Sequence, residues 1–262
     1  MGEHYSKKEL GKDMYQFFIE DENAAEDFVT IEGSDVNHIK NVLRMKPGEK
    51  IRVCTRNGQN YFCSISDITE SFVRADILEK EAESTELTCR IYLFQGLPKN
   101  DKMEWIIQKT VELGVYEVIP VAMKNCVVKL DDKKAKSKVM RWQAIAESAA
   151  KQSKRSLIPE VKMPMSYKEA VAYAKELDVK LVPYENEHGM AGTKAAMEQI
   201  KKGESIAVFI GPEGGFAPEE IALVQDEMQL ISLGKRILRT ETAGIAALAI
   251  LGYQLESSDM IE

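Results

Sequence analysis

Histidine is scarce in this sequence, cysteine is never closely spaced, and long apolar runs are missing. The 262 residues hold three histidines and four cysteines, Cys54, Cys63, Cys89 and Cys126, with no CxxC spacing. That argues against a disulfide framework and a zinc cluster, so reduced thiols and no metal are expected. No apolar run approaches the roughly 20 residues that a membrane span needs. The first twenty residues are polar and charged, which predicts no secretory signal and a cytoplasmic protein. Also missing are GxSxG, HExxH, GxGxxG and GxxxxGK[ST], which removes the nucleophile-elbow, zinc-protease, dinucleotide and P-loop readings. His38 is expected to be a polar side chain packed on a helix, and His188 lies in a Glu-rich loop without companion ligands.

What is present is globular. Hydrophobic residues make up 44% and charged residues 29% of a chain long enough for two domains. Residues 1–14 read as a flexible leader. Within 15–78, strand-like runs fall at 15–19, 50–54, 61–65 and 72–78, with a hairpin signal at Asn57-Gly58. A short helix is expected over 36–43, capped by Ser34 or Asp35. The acidic stretch 79–86 reads as a linker.

Beyond it the period changes. Apolar β-prone runs at 90–94, 118–121, 179–183, 206–210 and 228–233 alternate with helical patterns at 101–113, 136–151, 189–201, 218–226 and 240–253. Such alternation predicts an α/β fold, its mostly parallel sheet covered on both faces, joined to a small β domain.

One expected strand runs into VFIGPEGGF at 208–216. Gly211 stands where the strand ends, the place where open α/β sheets bind ligands. Gly214 and Gly215 let the main chain approach a ligand closely, and Pro212 stiffens the loop. Glu213 adds negative charge where a polyphosphate would need donors. A flat ring with an uncharged or cationic head therefore fits better than ATP or NAD.

A second loop, LGKRILRTET at 233–242, follows the last strand. Thr240 is a plausible helix cap. Arg236 and Arg239 straddle Ile237 and Leu238, so one arginine is expected to face inward and the other outward; burial of the apolar pair as plain core is the simpler reading and is compatible with main-chain binding. Two cations at a helix start oppose its dipole, and Glu241 or a nucleic-acid phosphate should compensate them. The overall formal charge is -7, yet between Lys124 and Arg155 ten Lys and Arg face three acids. A local basic face of that kind can hold a phosphate backbone.

The segments HIKNVLRM (38–45), GLPKNDKMEWIIQKTVELGVYEVIP (96–120), RWQAIAESAAKQSKR (141–155), IGPEGGFAPEE (210–220) and LGKRILRTET (233–242) together resemble the RsmE family. These are bacterial 16S rRNA uridine N3-methyltransferases of the knotted SPOUT superfamily. The resemblance implies a PUA-like RNA-binding β-barrel over 15–78 and a SPOUT trefoil-knot methyltransferase domain over 87–262. It implies S-adenosylmethionine as cofactor and a homodimer acting on 16S rRNA of the small ribosomal subunit. Cofactor contacts would come from Pro183-Tyr184-Glu185, from Ile210-Gly211-Pro212-Glu213-Gly214-Gly215, and from Leu233-Gly234 with Arg236-Ile237-Leu238-Arg239. Arg236 or Arg239 would favour the uridine anion. Arg44, Lys46, Arg141, Lys151, Gln152, Lys154 and Arg155 would contact RNA.

Two positions depart from the family pattern. Gln16 stands where relatives usually carry an arginine, which is expected to weaken one RNA contact. Lys151 replaces a common glutamate and makes that face more basic. A SPOUT enzyme acting on another RNA position, and a non-catalytic RNA-binding or assembly protein, are the alternative readings.

Overall fold

The structure, a computed structural model, describes residues 14–81, 84–187 and 189–259. Residues 1–13 of the expected leader and His188 lie outside the described residues. The chain divides into two compact units, the first formed by the chain up to Glu86 together with Lys154–Ile158, the second by Leu87–Ser153 and Pro159–Glu262.

The first unit is a five-stranded sheet of β1 (Gln16–Ile19), β2 (Phe28–Glu32), β3 (Lys50–Thr55), β4 (Asn60–Ile68) and β5 (Phe72–Glu81), in the order β1-β3-β4-β5-β2. β1 pairs β3 in parallel and the other pairs are antiparallel. The alternation that makes these strands points Val29, Ile31, Ile51, Val53, Ile65 and Val73 into one core. The β3–β4 hairpin turns at Asn57-Gly58 as expected, with Gly58 at φ 86°. β2 had no counterpart in the expected strands, although Val29 and Ile31 alternate with Thr30 and Glu32. The expected linker at 79–86 is partly strand, because β5 runs through Glu81. The expected helix over 36–43 is a single turn, α1 (Ser34–Asn37), continued by a π-helical turn at His38–Val42. Its cap position is Gly33, at φ 71°, rather than Ser34 or Asp35. His38 is exposed on this turn, not packed.

The five residues Lys154–Ile158 complete this unit through a polar clasp. Gln16 Nε2 donates to the Arg155 carbonyl at 2.6 Å, and Arg52 Nη1 to the Lys154 carbonyl at 2.9 Å. Asn60 Nδ2 donates to Ser156 Oγ at 2.8 Å. The Arg155 guanidinium lies on Glu86, with Nε 3.1 Å from Oε2, and the Ser156 N–H donates to Glu86 Oε1 at 2.9 Å. Lys154 bends the chain at φ 60°.

The second unit contains β6 (Arg90–Gly96), α2 (Lys102–Glu112), β7 (Val115–Ala122), α3 (Asp132–Gln152), β8 (Glu160–Val161), β9 (Met165–Ser166), α4 (Tyr167–Ala174), β10 (Val179–Pro183), α5 (Ala191–Glu198), β11 (Ser205–Ile210), α6 (Pro218–Val224), β12 (Gln229–Ile231) and α7 (Thr240–Asp259). Its sheet is parallel throughout, in the order β12-β10-β11-β6-β7-β8, with β9 also pairing β7. β6 and β11 are buried along almost their whole lengths, as a sheet covered on both faces demands. Phe94 and Phe209 stack across them at 4.3 Å. α2 buries Met103, Ile106, Ile107, Thr110 and Val111, and Gly114 at φ 91° ends it. α7 packs on β6, β11, α2 and α5. The architecture agrees with the expected trefoil-knot domain preceded by a PUA-like sheet. α4 had no counterpart in the expected helices, yet its capping box, Ser166 with Glu169, is a sequence signal.

Candidate cofactor and RNA site

Three loops leave the carboxyl ends of β10, β11 and β12 and enclose a cavity of about 680 Å³. That is the size range of small-molecule sites, at the edge where parallel sheets place their ligands. The walls come from Pro183 to Glu185, from Ile210 to Glu213 with Gly215 and Phe216, and from Ser232 to Thr240, with Lys102, Glu187 and Ala243.

Each loop is held from outside the cavity. The Tyr184 N–H donates to the Ile231 carbonyl at 3.0 Å, extending the β10–β12 pairing into the first loop. Thr193 of α5 donates to the Ser232 carbonyl at 2.8 Å and accepts from its N–H at 3.0 Å, fixing the third. The middle loop is held most closely. A Cβ on Gly96 would lie 2.7 Å from Pro212 N, so only glycine lets the end of β6 meet this turn. Gly215 takes φ 67°, and Asn125 Nδ2 donates to the carbonyls of Gly214 and Gly215 at 3.0 and 3.2 Å. Asn125 stood outside the sequence expectation, since nothing in its neighbourhood marks it.

Glu213 lines the cavity, but its carboxylate also closes a clasp. Oε1 accepts from the Lys99 N–H at 3.0 Å and from Lys102 Nζ at 3.0 Å, while Lys102 reaches Glu241 Oε2 at 3.2 Å. Burial pushes the Glu213 carboxyl up, but the Lys99 N–H and the Lys102 ammonium outweigh it and hold the group below the ordinary carboxylate range. The hydrogen bonds that Lys102 donates to Glu213 and Glu241 raise its ammonium above its own ordinary value, so it stays charged at neutral pH.

The electrostatics match a nucleoside with a cationic head better than a polyphosphate. The helix after the middle loop, α6, begins with the Ala217 N–H already donating to Glu220 Oε2 at 2.8 Å. Glu220 is buried there and also accepts from the Lys124 N–H at 2.8 Å. A carboxylate thus occupies the helix start that a phosphate would need. Glu185 and Glu187 add exposed negative charge along the first loop. The site therefore fits the expected S-adenosylmethionine: its glycine-rich main chain would suit a flat ring, and its acids would suit a cationic group.

Every expected cofactor residue lines the cavity except Gly214, whose carbonyl is taken by Asn125. The LGKRILRTET loop differs from expectation in three ways. Ile237 is 89% exposed and Leu238 half-buried, so the pair forms no core. Arg236 and Arg239 are both exposed, neither turned inward, and neither has an ion pair among the described residues. Thr240 is the first residue of α7; the Arg239 carbonyl accepts from the Ala243 N–H at 2.8 Å, so Arg239 occupies the cap position.

The expected RNA contacts fare unequally. Arg44, Lys46, Arg141 and Gln152 are exposed, Arg141 with a 2.8 Å contact to Glu104. Lys151 is half-buried beside Glu147 at 2.9 Å, and Lys154 is half-buried with its ammonium on the Met14 carbonyl. Arg155 does not belong to an RNA surface, because it is 3% exposed and its guanidinium is bound to Glu86. Gln16 is buried in the same clasp, so its replacement of arginine concerns the fold of the first unit and not an RNA contact.

The four cysteines are free and buried, and burial pushes Cys54 and Cys63 up to about 12, which leaves their thiols inert. Among the described residues no group of His, Cys, Asp and Glu could hold a metal, and no helix is long and apolar enough to cross a membrane.

The RNA methyltransferase domain family matches residues 85–252, and the RNA methyltransferase PUA domain family residues 31–78. The chain is 39% identical over 231 residues to the ribosomal RNA small subunit methyltransferase E of Bacillus subtilis (strain 168), covering 87% of this chain and 90% of that one. The same enzyme of Mesomycoplasma hyopneumoniae (strain 232) is 36% identical over 233 residues, with 88% and 96% covered. Among solved structures, the ribosomal RNA small subunit methyltransferase E from Neisseria gonorrhoeae bound to S-adenosyl methionine matches with a TM-score of 0.79 and 32% identity over 91% of this chain and 96% of that one. A methyltransferase of Legionella pneumophila in complex with its bound cofactor SAM matches with a TM-score of 0.78 and 30% identity, with 91% and 96% covered.

Proposed function

The chain belongs to the ribosomal RNA small subunit methyltransferase E family, and on that premise we propose that it methylates N3 of one uridine in 16S rRNA, with S-adenosylmethionine as donor. The observation that carries this reading is the cleft where the loops after β10, β11 and β12 converge. It is large enough for an adenosyl group and hostile to polyphosphate, and two relatives of closely similar fold are described with that cofactor bound.

When bound, the cofactor supplies a methyl group on a positively charged sulfonium, an electrophile that needs no further activation. The chain's residues do the rest. The glycine-rich middle loop and the loop from Ser232 to Thr240 would hold the donor, and a fixed orientation lowers a transfer barrier by several kcal/mol. The uridine N3–H must be lost before or during transfer. Arg236 and Arg239 stand exposed on the cleft wall, where two guanidinium charges favour the uridine anion as they would any conjugate base. Solvent takes the proton in this scheme, so no histidine is needed.

RNA is held by the exposed cations Arg44 and Lys46 on the first unit and Arg141 on α3 of the second, with the neutral, exposed Gln152 at the end of α3 as a hydrogen-bonding contact. Lys151 of the second unit and Lys154 of the first, half-buried with their ammonium groups engaged, are secondary contributors, each on its own unit. The enzyme acts in the cytoplasm as a homodimer. In support, Trp105 on α2 and Tyr253 on α7 are exposed on helices that touch each other, apolar surface that a second copy would cover.

Transfer from labelled S-adenosylmethionine to unmodified small ribosomal subunits, followed by mass-spectrometric location of the product, tests the reading. One N3-methyluridine in 16S rRNA is the expected result. Methylation at another base would keep the cofactor and overturn the substrate, and cofactor binding without transfer would favour an RNA-binding or assembly role.

A further inference from the structure

Gln95 is the penultimate residue of β6, its side chain wholly buried and its amide facing away from any solvent that could satisfy it. Both amide hydrogens have acceptors: Nε2 donates to Thr240 Oγ1 at 2.9 Å and to the Gly96 carbonyl at 3.1 Å. Thr240 is itself buried. Having accepted a hydrogen from Gln95, its hydroxyl donates its own to the Gly211 carbonyl at 2.7 Å. The three groups form a one-way chain of hydrogen bonds, from the amide donor on β6, through the hydroxyl of the first residue of α7, to the accepting carbonyl of the first residue of the GPEGG loop. Oε1 of the same amide points at Gly244, where a Cβ would lie 3.2 Å away, so the second turn of α7 is shaped around Gln95.

Gly211 lines the cofactor cavity and has no side chain by which it could be held. A glycine left to itself samples many backbone conformations. A site that recognises its ligand through main-chain atoms gains affinity when that main chain is fixed beforehand. We propose that Gln95 is a positioning residue for the cofactor loop, acting through Thr240: its amide commits the Thr240 hydroxyl to Gly211 and so sets the carbonyl and the path of the loop. The proposal rests on the reading of the cavity as the S-adenosylmethionine site, and it goes beyond that reading, since Gln95 does not itself line the cavity.

The test is a double-mutant cycle on the full chain, read as S-adenosylmethionine affinity by calorimetry, with Gln95→Met, Thr240→Val and both together. Each single variant is expected to weaken binding about tenfold, the scale of one buried hydrogen bond left unmade. The double variant should bind no more weakly than Thr240→Val alone, because the two residues act in series. Thr240→Ser, which keeps the hydroxyl, should restore affinity to within about twofold. Unchanged affinity in Thr240→Val, additive losses in the double variant, or failure of Thr240→Ser to rescue would each overturn the proposal. Gln95→Asn, too short to reach Thr240, and Thr240→Ala complete the same cycle if either first variant does not fold. A wild-type chain that does not bind S-adenosylmethionine would remove the functional reading and the proposal together, which separates that failure from the others.

Discussion

Residues 154–158 and residues 235–239 are both short, irregular and rich in Lys and Arg, and both lie in motifs that the sequence associates with RNA. The structure treats them oppositely. In the first, Arg155 is buried, its guanidinium fixed by Glu86 and its carbonyl by Gln16. In the second, Arg236 and Arg239 stand in solvent on a cavity wall, and Glu241, the acid expected to neutralise them, is engaged by Lys102. A charge that has found a partner within its own unit is architecture, whereas one left exposed beside a cavity is available to a ligand. Burial and partner, not residue type or motif, decide between the two.

The largest effect expected from this contrast is on stability. Arg155→Met should destabilise the protein by about 3 kcal/mol, because the half-buried Glu86 carboxylate would lose the counter-charge that Arg155 brings from the interior. Urea unfolding measures it, and a loss below about 1 kcal/mol would return Arg155 to the surface set. Next comes chemistry: Arg236→Ala and Arg239→Ala should each leave unfolding within about 0.5 kcal/mol of wild type. At least one should lower turnover about 100-fold at saturating RNA and cofactor. Full turnover in both would end the idea that they stabilise the uridine anion.

Glu213→Gln is expected to act more mildly, weakening cofactor binding about fivefold by loosening the clasp with Lys99 and Lys102. The Glu213 carboxyl is held below its ordinary 4.5, so the clasp is complete above that pH and is lost as pH falls through the lower folded value. The difference between wild type and Glu213→Gln should therefore be flat from pH 6 to about 9 and disappear in acid; a difference that grows on acidification would contradict the assignment. Smallest is Arg141→Ala, which should flatten the slope of log affinity against log salt by no more than about 0.9, the value of one phosphate contact. An unchanged slope would remove Arg141 from the RNA surface.

Much of this was legible in the residues. Period and turn signals located the principal strands of both units, and the GPEGG and LGKRILRTET segments marked two of the three cavity walls. What escaped notice was of two kinds. β2 and α4 carried clear local signals, alternation at 28–32 and the Ser166–Glu169 capping box, that were simply weaker than those of their neighbours. The exposure of Ile237, the fastening of Gly214 by Asn125 and the burial of Arg155 had no local signal at all. Each depends on which distant segment arrives beside it, 89 residues away for Asn125 and Gly214, and 69 for Arg155 and Glu86. Sequence periodicity reports the face that a segment buries, not the neighbour it meets.

The clasp at Lys154–Ile158 also sets a timetable. A nascent chain that has just emerged through Glu86 holds all five strands of the first unit, but Gln16, Arg52, Asn60 and Glu86 still lack the partners they will have when folding is complete. At about 5–20 residues per second, roughly 70 further residues must be made before those partners appear, a delay of several seconds. The small sheet therefore finishes folding only after the first two strands and helices of the larger unit have been synthesised, and it is inherited as part of the whole chain rather than as a separable module.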